Sequence, residues 1–235
     1  MKASAWEFRH RALLNGAVFL AGFTVGSVRP GAVAARLAGM PGSPASAATV
    51  RTVCIAATLV LLLAAGIRTW GTAYLGAPVV FSSGVHTDAL VADGPYRYVR
   101  NPLYLGTLLL GAGLGVLAGP WGWAIIVLGL ALVQHRLVAR EEALLDARLG
   151  EPVRAYRARV ARWLPGLRPR LPAGGADPDW KAAWKAEAPM WCFAAAMASV
   201  AATLSLRPFQ VLVIVGVVLL VVSHRRGAQP ARPGG

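Results

Sequence analysis

Charged residues are scarce in this chain of 235 residues, since Asp, Glu, Lys and Arg together make up 14% of it. Soluble domains carry about a quarter of such residues. Hydrophobic residues account for 56%, and the mean hydropathy is +0.54. This balance excludes an ordinary water-soluble domain and indicates that the chain lies in a bilayer.

Acidic residues are the rarer charged class, with 10 Asp and Glu against 24 Lys and Arg and a net charge of +14. A nucleic-acid-binding protein would cluster its basic residues into a patch. Here the arginines flank apolar runs, which is typical of membrane topology and of contact with lipid headgroups. We therefore expect membrane lipids, and no nucleic acid, as partners.

Cysteine is nearly absent, and both Cys54 and Cys192 lie inside apolar stretches. Without a CxxC pair or a Cys/His cluster, the sequence predicts neither a disulfide framework nor a metal site. The beginning, MKASAWEFRHR and an apolar run, resembles a signal peptide but lacks a small-residue cleavage site. We interpret it as a retained first helix.

Apolar segments long enough, or nearly long enough, to cross a bilayer recur along the chain. They are residues 12–28, 49–67, 103–118, 120–135, 188–205 and 208–223. The third and fourth are short and are joined by Gly119-Pro120, which predicts a helical hairpin whose glycines allow close packing. The GxGxG run is no dinucleotide-binding motif, because no predicted strand precedes it. The expected fold is an all-α integral membrane protein with five to six transmembrane helices.

The distribution of Lys and Arg predicts the orientation. With the N-terminus inside and six spans, all but four of the 24 lie on the cytoplasmic side, the exceptions being Arg29, Arg36, Arg51 and Arg207. The positive-inside rule then places residues 68–102, residues 136–187 and both termini in the cytoplasm. We expect a multi-pass protein of the inner membrane.

Two helices should extend the hairpin into the cytoplasm. The fourth helix, over residues 121–149, would be about 43 Å long, beyond the membrane thickness. After Gly150, residues at helical spacing form one apolar side: Val153, Tyr156, Val160 and Trp163. This predicts an amphipathic helix that lies on the inner leaflet and closes over the neighbouring cytoplasmic segments.

Two polar stretches flank the hairpin. Residues 86–106 read HTDALVADGPYRYVRNPLYLG, and the later stretch RLVAREEALLDARLGEPVRAY contains Glu141 and Glu142. Alone, the first suits a juxtamembrane anchor with interfacial tyrosines and arginines. Facing two glutamates, its arginines and tyrosines can instead close a polar pocket.

The paired stretches resemble the superfamily of isoprenylcysteine carboxyl methyltransferases and phospholipid methyltransferases, whose patterns read roughly GxYxxxRHPxYxG and then EE, a spacer and FGxxYxxY. Asn101 stands where many members have histidine, and Leu149 stands where phenylalanine is usual. An amide can replace an imidazole as a hydrogen-bond donor but not as a proton acceptor. The resemblance implies transfer of a methyl group from S-adenosylmethionine to a lipophilic acceptor.

The resemblance also implies site residues. Those expected to bind the cofactor are His86, Asp88, Ala89, Leu90, Val91, Tyr96, Arg100, Asn101, Pro102, Leu103, Tyr104, Glu141 and Glu142. Arg140, Glu141 and Asn101 are expected to take part in catalysis. The eukaryotic carboxyl methyltransferases use an arginine of the fourth helix to contact the acceptor; direct alignment puts Leu137 there, between Arg136 and Arg140, and we favour Arg140.

The expected organisation has four parts. Residues 1–85 hold N-terminal transmembrane helices, 86–165 the catalytic core, 166–187 a cytoplasmic linker, and 188–235 two further helices with a basic tail. The last two helices either shape the acceptor tunnel or anchor the chain. The acceptor and the oligomeric state stay open.

Two other functions are compatible with part of the sequence. Sterol reductases, which use NADPH, are similar to this superfamily in fold and carry an RHPxYxG-like element, but their phenylalanine-rich and acidic flanks are missing. A noncatalytic transporter or scaffold is the second alternative. A transporter would place ionisable residues in mid-membrane, and the apolar segments contain almost none.

Overall fold

The described part of the chain consists of helices joined by loops. A computed structural model describes residues 2–37, 45–76 and 90–227, and no β-strand occurs within these ranges. The described residues form nine α-helices: α1 Ala5–Arg9, α2 Arg11–Val28, α3 Ala32–Leu37, α4 Ala47–Leu75, α5 Pro102–Leu114, α6 Gly119–Leu149, α7 Glu151–Arg159, α8 Trp180–Thr203 and α9 Leu206–Gly227. The predicted all-α class is confirmed.

Three described stretches are long and apolar enough to cross a membrane: Arg11–Val28, Ala47–Leu75 and Pro102–Leu149. A shorter apolar helix covers Leu206–Val222. Helix α8 begins with charged residues, among them Lys181, Lys185 and Glu187, which lower its hydropathy. The membrane character of the chain is thus supported, while the number of five to six spans stays a prediction.

The stretch Pro102–Leu149 folds back on itself as the predicted hairpin. The indole of Trp123 in α6 donates to the carbonyl of Ala112 in α5 at 3.0 Å. A methyl group placed on Gly111 would lie 2.3 Å from Leu130 Cδ1, although a continuous helix would separate these two residues by about 28 Å. The chain reverses through the 3-10 turn Gly115–Ala118 and through Gly119, whose φ of +71° favours glycine.

Helix ends meet in two sets, one at each end of the bundle. The set that we call the turn end comprises the hairpin turn at 115–119, the end of α2 and the start of α4. The set that we call the motif end comprises residues 2–10, the end of α4, the start of α5, the end of α6, helix α7 and the start of α8. The segments predicted to be cytoplasmic gather at the motif end, as far as they are described; which side of the membrane this end faces stays a prediction.

At the turn end, α2 and α6 approach each other backbone to backbone. A methyl group on Gly26 would lie 2.3 Å from the carbonyl oxygen of Ala118, and one on Gly122 would lie 2.4 Å from that of Gly22. Only glycine leaves room for such contact. Shape complementarity therefore holds this end of the bundle.

Residues 151–176, which we call the cover segment, pack over the motif end. Helix α7 begins at Glu151 with Pro152 in its first turn, as predicted, but it ends at Arg159. Val153, Tyr156 and Val160 are each at most 7% exposed. The predicted apolar side of this helix is thus real, and it packs against the hairpin and the preceding loop. Its position on the inner leaflet stays a prediction.

Candidate functional site

The two polar stretches that flank the hairpin meet at the motif end. Proline in the first turn of α5 starts that helix directly after Asn101, which sets Tyr104 toward the extended end of α6. The hydroxyl of Tyr104 donates to Glu141 Oε2 at 2.7 Å. Both residues are half-buried. A carboxylate has about four acceptor positions and Tyr104 occupies one, so Glu141 keeps capacity for a ligand.

Glu142 lies at the centre of a cluster of arginines. It is 7% exposed and accepts from Arg162 Nε at 3.2 Å. Arg100 Nη1 lies 3.3 Å from its carboxylate, and Arg157 Nε lies 3.9 Å from it. Burial lowers the pKa of Arg100. Three guanidinium groups around one carboxylate leave this part of the site with an excess of positive charge.

Tyr96 lies in the 3-10 turn Gly94–Arg97 and is 7% exposed. Its hydroxyl has no hydrogen-bond partner among the described residues, and the same holds for the buried Nε of Arg100. Burial, and then the charge of Glu141, raises the pKa of Tyr96 well above its ordinary value, so the phenol stays protonated at neutral pH. A buried donor without a partner is destabilising, and a polar ligand would satisfy it.

Backbone hydrogen bonds join the loop before α5 to the cover segment. The N–H of Arg100 donates to the carbonyl of Ala161 at 2.9 Å, that of Gly166 to Tyr98 at 3.0 Å, and that of Arg170 to Arg97 at 2.9 Å. The Tyr156 hydroxyl adds a bond of 2.8 Å to the Tyr96 carbonyl. The cover is therefore fixed along its length.

Asp93 attaches the far end of the cover segment. Its Oδ2 accepts from the N–H of Gly174 at 2.9 Å and of Ala176 at 3.0 Å, and its Oδ1 accepts from Gly94 at 3.3 Å. The bond from Ala176 is the largest cause that lowers the pKa of Asp93. The carboxylate is thus held in its charged form.

Asn101, predicted to bind the cofactor and to act in catalysis, is 8% exposed. Its Nδ2 donates to the carbonyl of Arg162 at 3.1 Å. The amide therefore supplies the donor that the resemblance required, but it supplies it to the cover segment. Through this bond Asn101 holds the backbone of Arg162, whose guanidinium pairs with Glu142.

The remaining predicted residues are placed as follows. Pro102 is buried, while Leu90, Val91 and Leu103 are half-buried around the 3-10 turn and the start of α5. His86, Asp88 and Ala89 lie outside the described residues. Arg140 Nη1 donates to the carbonyl of Ala3 at 3.1 Å, and its Nε is buried without a hydrogen-bond partner among the described residues.

The N-terminal segment packs on the site, which the sequence did not predict. Glu7 forms a bidentate pair with Arg136 at 2.8 and 2.9 Å, and the Ala3 N–H donates to the Arg136 carbonyl at 3.0 Å. Phe8 is 5% exposed and packs with Leu137 in a cluster that Tyr104 borders. The capping box of Ser4 and Glu7 can be recognised in the sequence from its SxxE pattern. No sequence pattern identifies Arg136 as the residue that Glu7 binds.

A second unpredicted contact joins α4 to α8. Arg68 Nε donates to Glu187 Oε2 at 2.7 Å, and Glu187 is 1% exposed. The signal in the sequence was Arg68 near the end of the apolar helix α4 and Glu187 among the charged residues that begin α8, since an ionisable residue in an apolar helix requires a partner.

One groove lies away from the motif end. It has a volume of about 470 Å³ and its lining includes Val25, Arg29, Trp121 and Gly129 of α2 and α6. Trp121 lies about 30 Å from Glu141 along the axis of the same helix. This groove is therefore not the predicted cofactor cavity, which stays a prediction.

Comparison with curated proteins and with solved structures gives no match. A family model does match, from the first turns of α4 to the first residue of α7, and this part contains Tyr96, Tyr104, Glu141 and Glu142. The resemblance read from the two motifs is thus confirmed: residues 52–151 match the family model described as phospholipid methyltransferase, a family within the superfamily of integral membrane methyltransferases.

Proposed function

We propose that this protein transfers a methyl group from S-adenosylmethionine to a lipophilic acceptor at the motif end, on the cytoplasmic face of the membrane. The observation that carries the proposal is the bond from Tyr104 to Glu141. It joins the two motifs of the family, near the buried Tyr96 phenol, which has no partner in the described part of the chain. Residues 86–165 form the catalytic core in this proposal.

The chemical character of the site fits the cofactor. S-adenosylmethionine offers an ammonium group, a carboxylate and ribose hydroxyls, and when bound it supplies an electrophilic methyl group on a sulfonium. Glu141 would hold its cationic or hydroxyl groups, since an acceptor-only carboxylate suits both. The buried Tyr96 hydroxyl and Arg100 Nε would donate to its acceptor atoms.

The other residues that the resemblance implies for the cofactor site keep that role in the proposal. They are His86, Asp88, Ala89, Leu90, Val91, Asn101, Pro102, Leu103 and Glu142. Asn101 and Glu142 act through the cover segment, which they hold in place by Arg162. A docked cover excludes water, and methyl transfer gains from a dry site and accurate alignment more than from acid–base catalysis.

The acceptor is a membrane-partitioned molecule in this proposal, a lipid or a small hydrophobic compound. Arg140 is the residue proposed to contact it. The bond to the Ala3 carbonyl uses one of its five N–H groups, so an anionic acceptor could still be bound by the others.

Cofactor binding tests the proposal directly. Isothermal titration of the purified protein should show binding of S-adenosylhomocysteine and none of NADPH, because the site has the family's cofactor motifs. Glu141→Gln should weaken that binding at least tenfold, since charged hydrogen bonds contribute about 1.5–3 kcal/mol. The matched control is Glu151→Gln. The side chain of Glu151 is 78% exposed, so this substitution should leave the affinity for S-adenosylhomocysteine unchanged.

Binding of NADPH without S-adenosylhomocysteine would favour a reductase and overturn the proposal. If S-adenosylhomocysteine binds, transfer of a labelled methyl group to extracted membrane lipids, and to a panel of hydrophobic acids and thiols, would identify the acceptor class.

A further inference from the structure

Glu187 is a buried carboxylate in a part of the chain that the family match does not cover. It lies in the second turn of α8, is 1% exposed, and follows residues 52–151 by more than thirty positions. Isolated carboxylates are strongly disfavoured in apolar surroundings. A buried carboxylate at this position therefore needs a hydrogen-bonding partner, and its presence there needs an explanation.

The partner is Arg68 of α4. Its Nε and Nη2 donate to the two oxygens of Glu187 at 2.7 and 3.0 Å, the bidentate geometry that fixes a guanidinium most firmly. The hydroxyl of Thr72 donates to the same carboxylate at 2.7 Å. Glu187 thus accepts three hydrogen bonds from α4 and determines where the Arg68 side chain points.

The other side of the Arg68 guanidinium binds the first turns of α5. Its Nη1 donates to the carbonyl of Leu103 at 3.1 Å and to the hydroxyl of Thr107 at 3.0 Å. Gly106 lies between them, and a methyl group there would lie 2.3 Å from Arg68 Cγ. The absence of a side chain on Gly106 therefore lets Arg68 lie across the first turns of α5, the helix that carries Tyr104.

We propose that Glu187 is a positioning residue of the methyl-transfer site, which acts through Arg68 on the start of α5 and so on the Tyr104 hydroxyl that meets Glu141. This inference rests on the proposed function. It gives α8 a role beyond anchoring: this helix supplies, from outside the family segment, the charge that orients the catalytic core.

The chain of contacts favours positioning over stability alone. Replacing a buried ion pair by apolar residues of similar volume is often neutral for stability, so stability alone does not call for the pair. A guanidinium whose hydrogen bonds run to one carboxylate and to one turn of a neighbouring helix fixes the rotation of that helix. Small errors of alignment at a reacting centre reduce rates and affinities strongly.

The variant Glu187→Gln should weaken binding of S-adenosylhomocysteine by roughly tenfold. The matched control is Trp191→Phe, which removes another hydrogen bond between the same two helices, from Trp191 Nε1 to Thr69 Oγ1 at 3.0 Å, without touching Arg68. The control should keep its affinity within about twofold of the parent. Equal affinities for the parent and Glu187→Gln would overturn the inference.

The double variant Arg68→Met with Glu187→Met separates positioning from folding. It removes the buried charges, so thermal stability should return toward that of the parent, while cofactor affinity should stay low because no guanidinium binds the Leu103 carbonyl and the Thr107 hydroxyl. Recovery of both properties would contradict the inference.

Hydrogen–deuterium exchange decides the matter even without a ligand. Backbone amides in 103–108 should exchange faster in Glu187→Gln than in the parent and in Trp191→Phe. Unchanged exchange in Glu187→Gln would refute positioning. If the parent fails to bind S-adenosylhomocysteine, the proposed function fails, and the exchange data still report whether Glu187 orders α5.

Discussion

The two ends of the helical bundle are held together by different forces. At the motif end, charged and polar side chains bridge distant segments, as in the cluster around Glu142 and the pair of Arg68 with Glu187. At the turn end, Gly26 and Gly122 bring backbones into contact. The comparison teaches that the first end is sensitive to the loss of a charge and the second to the addition of volume.

The largest effect is expected from removing the charge of Glu142. Glu142→Gln should lower the free energy of unfolding by about 3 kcal/mol, because it leaves three arginines around a buried neutral group. Thermal unfolding in detergent would measure this. The exposed Glu151→Gln should change stability by less than about 0.5 kcal/mol; similar losses in both variants would show that the cluster does not fix the cover segment.

An intermediate effect is expected at the turn end. Gly26→Ala would place a methyl group 2.3 Å from the carbonyl oxygen of Ala118, and such overpacking costs about 1–3 kcal/mol. Gly16→Ala, in the same helix, meets no atom within 4 Å and should be neutral or stabilising by up to about 1 kcal/mol. If both variants behave alike in thermal unfolding, close packing does not hold this end.

The smallest effect is expected for the pair of Glu7 with Arg136, which is partly exposed. The guanidinium of Arg136 lowers the pKa of Glu7 from 4.5 to about 2. A depressed pKa means that the carboxylate stabilises the folded state above pH 4.5 and that this contribution is lost as the pH falls toward 2.

The melting temperatures of the parent and of Glu7→Gln should therefore differ above pH 4.5 and converge near pH 2. A difference that is constant over this range would contradict the ion pair. Glu151→Gln again provides the control, since the Glu151 carboxylate is exposed and pairs with Arg154 of α7, not with Arg136.

Local patterns in the sequence predicted much of the fold and part of the site. Apolar runs predicted α2, α4 and the hairpin. The paired motifs predicted Tyr104 and Glu141 as site residues, because each motif is a continuous stretch of the sequence. The partner of Glu187 could not be predicted, since 119 positions separate it from Arg68 and no pattern relates them. For the same reason the docking of Glu7 on Arg136 was not foreseen.

The amphipathic helix illustrates a different limit. Periodicity at Val153, Tyr156 and Val160 predicted that one side of it is apolar, and burial confirms this. Hydrophobicity does not specify what covers such a side, since lipid and protein are equally dry. In the folded chain protein covers this side, and the Tyr156 hydroxyl donates a hydrogen bond to the Tyr96 carbonyl there.

The distance in sequence between Arg68 and Glu187 has a consequence for biogenesis. The ribosome makes Arg68 long before its counter-ion, and a lone arginine at the centre of a spanning helix costs about 2.5–3.5 kcal/mol on insertion. Its place in the last third of α4 lets the side chain reach toward headgroups in the meantime. The pair of Arg68 with Glu187 can therefore form only after α8 has been synthesised, so the contact that joins α4 to α8 is among the later ones to form as the chain is made.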